Sequence, residues 1–293
     1  MKRYLIITTL AIVAMVGCNK EPDGDSAIAA SFTSSITTRV SGVEWESGDQ
    51  VGIMVTENRA LLSGYHFNNL HDVTFTDPEQ GIFTPATPLD QIYYSVDAAT
   101  YIDFYAYYPY SVTLVEEDYN YPVSVAEQST PKSLDFMEAS TDGSGGYNKE
   151  SGTVALNFTR NMAKISLYLK AGSNLSLSDI SAVRLEGFYT TATYDFATGT
   201  FGSLGGESVD ITPYDEGGNL YSVILIPESS ASQMVYFTTP YGDVPLDLTS
   251  YTLSRGEHLY FTVTVSQTTA THSANSINTW DDADIDNNTF ETE

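Results

Sequence analysis

Cysteine is nearly missing from this chain: Cys18 is the only one in 293 residues. That excludes an internal disulfide and any cysteine-built metal cluster. Basic residues are also scarce, with 12 Lys and Arg against 38 Asp and Glu and a formal charge of −26. So acidic a surface repels phosphate backbones, which excludes nucleic acid as a partner. No apolar run reaches the ~20 residues that a membrane-spanning helix needs. The longest is the twelve-residue segment Leu5 to Val16. Catalytic signatures are missing as well: there is no G-x-S-x-G elbow, P-loop, dinucleotide-binding glycine pattern or HExxH. The chain is read as a non-enzyme without cofactors.

Histidine is the next rarity. Of the four, His66 and His71 fall near Asp72 on what reads as a loop. Two imidazoles and a carboxylate are zinc-ligand types, but this spacing matches no standard site, so they are read as solvated and no metal is assigned.

What is present begins at the N-terminus. Lys2 and Arg3, the apolar segment and the small residue Gly17 have the layout of a secretory signal over residues 1–17, cleaved after Gly17. Met15-Val16-Gly17-Cys18 resembles a bacterial lipobox, departing at Met15, where Leu is usual. Cys18 is therefore the expected site of lipidation, and residues 18–26 a lipidated flexible tether. Its acidic stretch resembles the signal that sends Bacteroidetes lipoproteins to the outer face of the outer membrane.

Beyond the tether the hydrophobic period is 2. Leu259, Phe261, Val263 and Val265 alternate with polar neighbours, as do Val154, Leu156 and Phe158, and Ile165, Leu167 and Leu169. Ala197-Thr198-Gly199 reads as a hairpin turn, and at most a helical turn is expected, near Ser176 to Ile180. Many short strands between turn residues predict an all-β fold of antiparallel β-sandwiches. The Gly/Ser-rich stretch 140–152 is taken as a loop near a domain junction. That gives an N-terminal domain at 27–150, a C-terminal domain at 151–280 and an acidic tail at 281–293. Asp282, Asp284, Asp286, Asn288 and Glu293 match a calcium-loop frame, but Asn287 replaces its glycine and flanking helices are absent. The tail is read as a frayed acidic terminus.

Tyrosine is abundant, 21 residues, and concentrated between Tyr93 and Tyr121. Sheet packing is the default role for these rings. Exposed members, with Tyr105, Tyr107 and Tyr110 as candidates, would stack on sugar faces; a monomeric surface glycan-binding lipoprotein is thus the alternative function.

Five stretches carry a family resemblance: RVSGVEWESGDQVGI (Arg39 to Ile53), YAYYPY (Tyr105 to Tyr110), LDFMEA (Leu134 to Ala139), LNFTRNMAKISLYL (Leu156 to Leu169) and LSRGEHLYFTVTV (Leu253 to Val265), closed by Ile277 and Trp280. In this order they resemble the fimbrillin family of Bacteroidetes, the subunits of type V pili. One departure is Thr159-Arg160, where the family usually shows Phe-x-His. The resemblance implies two transthyretin-like antiparallel β-sandwich domains in tandem and export as an outer-membrane lipoprotein. It also implies cleavage by an arginine-specific protease, removal of the first strand, and its replacement by a strand of a neighbouring pilus subunit. Ile28, Ala30, Phe32, Ser34 and Ile36 alternate inward along the candidate removable strand, and Arg39 follows as the candidate cleavage site. The rival reading is that Arg39 merely begins a loop and the strand stays. Because residues 281–293 carry six acids and no base, they are poor material for a hydrophobic groove. That favours an accessory, tip or anchor subunit over a stalk subunit, with a host or bacterial surface glycan or protein as a further partner.

Overall fold

The computed structural model describes residues 27–36, 45–77, 80–114, 120–206, 209–227 and 232–277. Cys18, Gly17, Arg39, the tether and the acidic tail lie outside the described residues. The fold is all-β, with two short 3₁₀ turns, Pro131–Leu134 and Leu177–Asp179, among the described residues. The second falls where the sequence allowed a helical turn.

In chain order the first nine strands are β1 (Phe32–Ile36), β2 (Gln50–Glu57), β3 (Ala60–Leu61), β4 (Asn69–Asp77), β5 (Gln80–Pro85), β6 (Asp103–Tyr108), β7 (Asn120–Ser124), β8 (Met137–Ser140) and β9 (Val154–Arg160). Eight of them hydrogen-bond in the order β3-β2-β4-β5-β1-β9-β8-β6, and β2 also pairs with β6. Seven strands therefore close into a barrel, and β3 hangs from β2 as a short flap. Closure removes sheet edges altogether. Its neighbours are antiparallel at every step except β1–β9, which is parallel from Phe32↔Val154 to Ile36↔Phe158.

Two expectations change here. The N-terminal strands form a closed ring and not a purely antiparallel pair of facing sheets. And β9, on the C-terminal side of the expected 150/151 boundary, belongs to the barrel. The Gly/Ser-rich stretch 140–152 connects two adjacent barrel strands; its composition marks a loop, which is not the same as a linker.

The barrel interior is aromatic. Trp45 meets Tyr108, Phe158 and Phe83 edge-on at centroid distances of 5.2, 5.1 and 5.7 Å, and Phe32 meets Phe104 at 4.9 Å. Such T-shaped pairs are the arrangement the ring quadrupoles favour. Strand β6 explains why DFYAYY is apolar at nearly every position: Phe104, Ala106 and Tyr108 point into the barrel, while Tyr105 and Tyr107 belong to a second core outside it. Gly52 on β2 makes room for this, since a Cβ there would fall 2.1 Å from the Tyr107 ring.

The second core fills the C-terminal half. Its strands are β10 (Ala163–Ala171), β11 (Ala182–Glu186), β12 (Thr191–Asp195), β13 (Thr200–Gly205), β14 (Tyr214–Gly217), β15 (Leu220–Leu225), β16 (Met234–Thr239), β17 (Gly242–Asp247), β18 (His258–Val265) and β19 (Ala270–Ile277). They form a five-stranded sheet, β14-β15-β10-β18-β19, and two three-stranded sheets, β11-β16-β17 and β13-β12-β7. At the centre of the larger sheet β10 and β18 run parallel over eight residue pairs, Lys164↔His258 to Ala171↔Val265. The Ala197-Thr198-Gly199 turn joins β12 to β13 as the sequence predicted. β7, counted with the N-terminal half by position, adds to this C-terminal β-hairpin.

The chain passes between the two halves three times: from β6 out to β7, from β7 back to β8, and through Asn161 and Met162 between β9 and β10. Gln128 fastens the segment after β7 to β15: its amide nitrogen donates to Val125 O and Ile224 O, and its amide oxygen accepts from Ile224 N at 2.9 Å.

Candidate functional site

The removable strand expected from the sequence is β1 with the residues just before it. Alternation places Ala30, Phe32 and Ser34 inside the barrel, all buried, and leaves Ser31 exposed. Ile28 departs from the expectation. It is 47% exposed because the chain there has passed the barrel rim, and only its backbone is engaged, Ile28 O accepting from Tyr94 N at 2.9 Å. Ile36 pairs with Phe158 through its backbone, and its side chain lies outside the described ones.

Both edges of this segment are hydrogen-bonded. On one side Phe32, Thr33 and Ser34 oppose Phe83, Ile82 and Gly81 of β5. Further toward the N-terminus, Ala30 N donates to Ile92 O at 2.9 Å. On the other side β9 runs alongside, beginning with Val154 N donating to Ser31 O at 2.8 Å. Ser31 Oγ also lies 3.1 Å from Thr153 Oγ1. Taking β1 out would expose unpaired backbone groups on two strands at once, each worth ~1–3 kcal/mol if left buried and unsatisfied.

The floor under β1 is shaped by four residues, Phe104, His71, Gly81 and Trp45. Phe32, 1% exposed, is caged edge-on by Phe104 and by the His71 imidazole at 5.6 Å. Opposite Ser34 stands Gly81, where a Cβ would come 3.2 Å from Trp45 Cδ1 and 3.3 Å from Ser34 Oγ. The pocket at position 34 is therefore small.

Several polar groups of this interior lack a partner: Ser34 Oγ, Trp45 Nε1, His71 Nε2 and Tyr94 OH. His71 is fully buried on β4, which corrects its placement on a loop with His66, and no group of three metal-ligating side chains occurs among the described residues. Its Nδ1 lies 3.3 Å from Asn69 O, and burial holds the imidazole below its ordinary pKa against the opposing pull of Asn69 O, Asp90 and Asp72. Burial likewise pushes the Tyr94 phenol up to about 12, with a smaller contribution from Tyr147.

The glycan-contact candidates fare differently. Tyr105 and Tyr107 are 2% and 0% exposed, packed against Phe196 at 4.9 and 5.3 Å, so neither ring is open to a sugar. Tyr110 is half-buried and stacks on Tyr107. The tyrosine cluster is a seam between the halves. At its centre Glu138 of β8 accepts hydrogen bonds from Tyr105 OH, from Tyr194 OH at 2.6 Å and from Arg255 Nη2 at 2.8 Å. Arg255 also donates to Gly199 O and Asn161 Oδ1. Nearby, Arg160 and Asp135 form a buried ion pair at 2.8 Å. Sequence reading found the tyrosines but not the seam, because the groups that meet at Glu138 lie 33, 56 and 117 residues from it.

With this architecture in view, relatives become informative. Residues 38–280 match the family model described as fimbrillin-like. The Bacteroides uniformis protein described as fimbrium subunit Fim1C is 30% identical over 284 residues, covering 91% of both chains. A crystal structure of a cell adhesion protein from Bacteroides uniformis superposes with a TM-score of 0.73 at 28% identity, covering 87% of this chain and 98% of that one. Another, from Bacteroides ovatus, has a TM-score of 0.63 at 20% identity, over 87% and 97%, and bears on the fold alone. The chain belongs to the fimbrillin-like family of fimbrial and cell-adhesion proteins.

Proposed function

We propose that this protein is a surface-exposed lipoprotein that serves as a structural or adhesive pilus component, in an accessory, tip or anchor position, and joins its neighbours by strand exchange. The observation that carries this reading is β1: a short strand at the N-terminal end of the fold, hydrogen-bonded along both edges inside a closed barrel. Arg39 follows three residues after its end. A strand supplied by another subunit would restore every bond that loss of β1 breaks, which is β-strand addition with alternate side chains filling pockets. In this proposal residues 1–17 are the secretion signal, cleaved after Gly17. Cys18 carries the lipid that holds the precursor at the outer membrane, and Arg39 is the processing site. The tandem transthyretin-like arrangement is proposed with its junction near residue 161, so that β9 stays with the first domain.

Intact mass and peptide mapping of the protein from its native cell surface test the proposal. A population starting at Val40 is the expected result. A population made up wholly of chains with acylated Cys18 and an uncut Arg39 overturns strand exchange.

A further inference from the structure

Resting on the exchange reading, we infer that the β1 slot selects its incoming strand by a two-position code: an aromatic residue, one outward residue, then alanine. The partner is thus a strand of a neighbouring subunit carrying aromatic-x-Ala.

The first position follows from the Phe32 cage. Phe104 and His71 meet it in T-shaped pairs at centroid distances of 4.9 and 5.6 Å, an edge-to-face geometry that an aromatic ring at this position satisfies and an aliphatic chain does not. The second position follows from Gly81 and Trp45, which close the pocket opposite residue 34. A Cβ on Gly81 would already come 3.2 Å from Trp45 Cδ1 and 3.3 Å from Ser34 Oγ. A branched side chain at residue 34 would therefore have to extend into a space that holds little more than one carbon, and overpacking is destabilising.

The native occupant is imperfect at this second position. Ser34 is buried, and its Oγ has no hydrogen-bond partner. A hydroxyl taken out of water without a partner is a cost that a methyl group avoids. An incoming strand with alanine at this position fits the same space and relieves that cost. The chain's own strand holds the slot while leaving exchange for a better-matched one downhill.

The test uses the full chain with a site-specific protease sequence inserted after Arg39, cut so that β1 stays in place as a non-covalent peptide. Fluorescent peptides spanning residues 27–38 then compete for the slot, read by co-elution with the protein. The Ser34→Ala peptide is expected to outcompete the native sequence about fivefold or more. The Phe32→Ala and Ser34→Leu peptides are expected to fall at least ~100-fold and ~10-fold behind it. Entry of all four peptides equally well overturns the code and leaves exchange standing. Failure of even the native and Ser34→Ala peptides to enter overturns exchange itself.

Discussion

The barrel and the C-terminal sheets solve the same packing problem in opposite ways. The barrel closes on itself, so every one of its seven strands has two neighbours. The C-terminal half keeps three separate sheets, whose outermost strands, such as β14 and β19, have one neighbour each among the described residues. Their interiors differ too. The barrel is filled by interlocking rings around Trp45 and Phe104, with polar groups of Ser34, His71 and Tyr94 left unpartnered. The sheet core is largely aliphatic, built on Leu167, Leu169, Val223, Ile226, Val235 and Val263. An edge strand can be lost from an open sheet at the cost of one ladder, but a barrel strand takes two ladders and the closure with it. Removing a strand is therefore far more consequential in the N-terminal half, and that is the half in which Arg39, the proposed processing site, falls.

The strongest way to break this comparison is to delete residues before Val40. Hydrogen exchange should then show loss of protection in β5 and β9 while β10, β15 and β18 stay slow. Equal loss in both halves would mean that they unfold as one unit. Phe32→Ala should reproduce the effect in weaker form, lowering barrel stability by ~3–5 kcal/mol in denaturant titration. Phe237→Ala, in the other core, should cost a comparable amount without loosening β1, as read by proteolysis after Arg39.

Next in size is the seam. Tyr194→Phe removes a hydrogen bond to the Glu138 carboxylate and should cost ~1.5–3 kcal/mol. Its signature is a calorimetric transition that broadens or splits as the halves uncouple. A sharp single transition with unchanged midpoint would show that the aromatic packing alone couples them.

The smallest expected effect is a pH dependence confined to the barrel. His71 is neutral where it is buried, and its pKa is lowered on folding. The unfolded chain therefore takes up the proton first, at pH ~6.5. The stability contribution is complete above that value and is lost as pH falls through it toward the folded pKa, by at most ~1.4 kcal/mol per pH unit. Denaturant midpoints between pH 8 and 5 should shift for the wild type and flatten in His71→Phe. An unaltered slope in that variant would assign the titration elsewhere.

Much of this was legible in the sequence. Period-2 alternation in residues 154–158, 165–169 and 259–265 identified strands because each buries one face and leaves the other polar. The inward set Ala30, Phe32 and Ser34 was readable for the same reason. Closure of the barrel was not, since nothing in the local pattern of β2 or β6 says that they pair; that register, Gly52↔Tyr107 to Thr56↔Asp103, is a long-range fact. The same holds for the parallel β1–β9 contact, which puts β9 in the barrel. Tyr105 and Tyr107 misled because a strand buried on both faces and a strand displaying an aromatic platform have the same composition.

The parallel pairings have a mechanical consequence. β9 runs beside β1, continues after two residues into β10, and β10 runs beside β18 over eight residue pairs. Tension applied along a strand in the β1 position is thus passed to β9 by a ladder pulled lengthwise, then through the backbone to β10, and on to β18 by a second ladder pulled lengthwise. In that geometry the hydrogen bonds resist together, whereas peeling a strand sideways breaks them one at a time. Resistance to force is set by the rate of unfolding and not by equilibrium stability. A fibre threaded through these two ladders would gain its tensile strength from the direction in which its strands run.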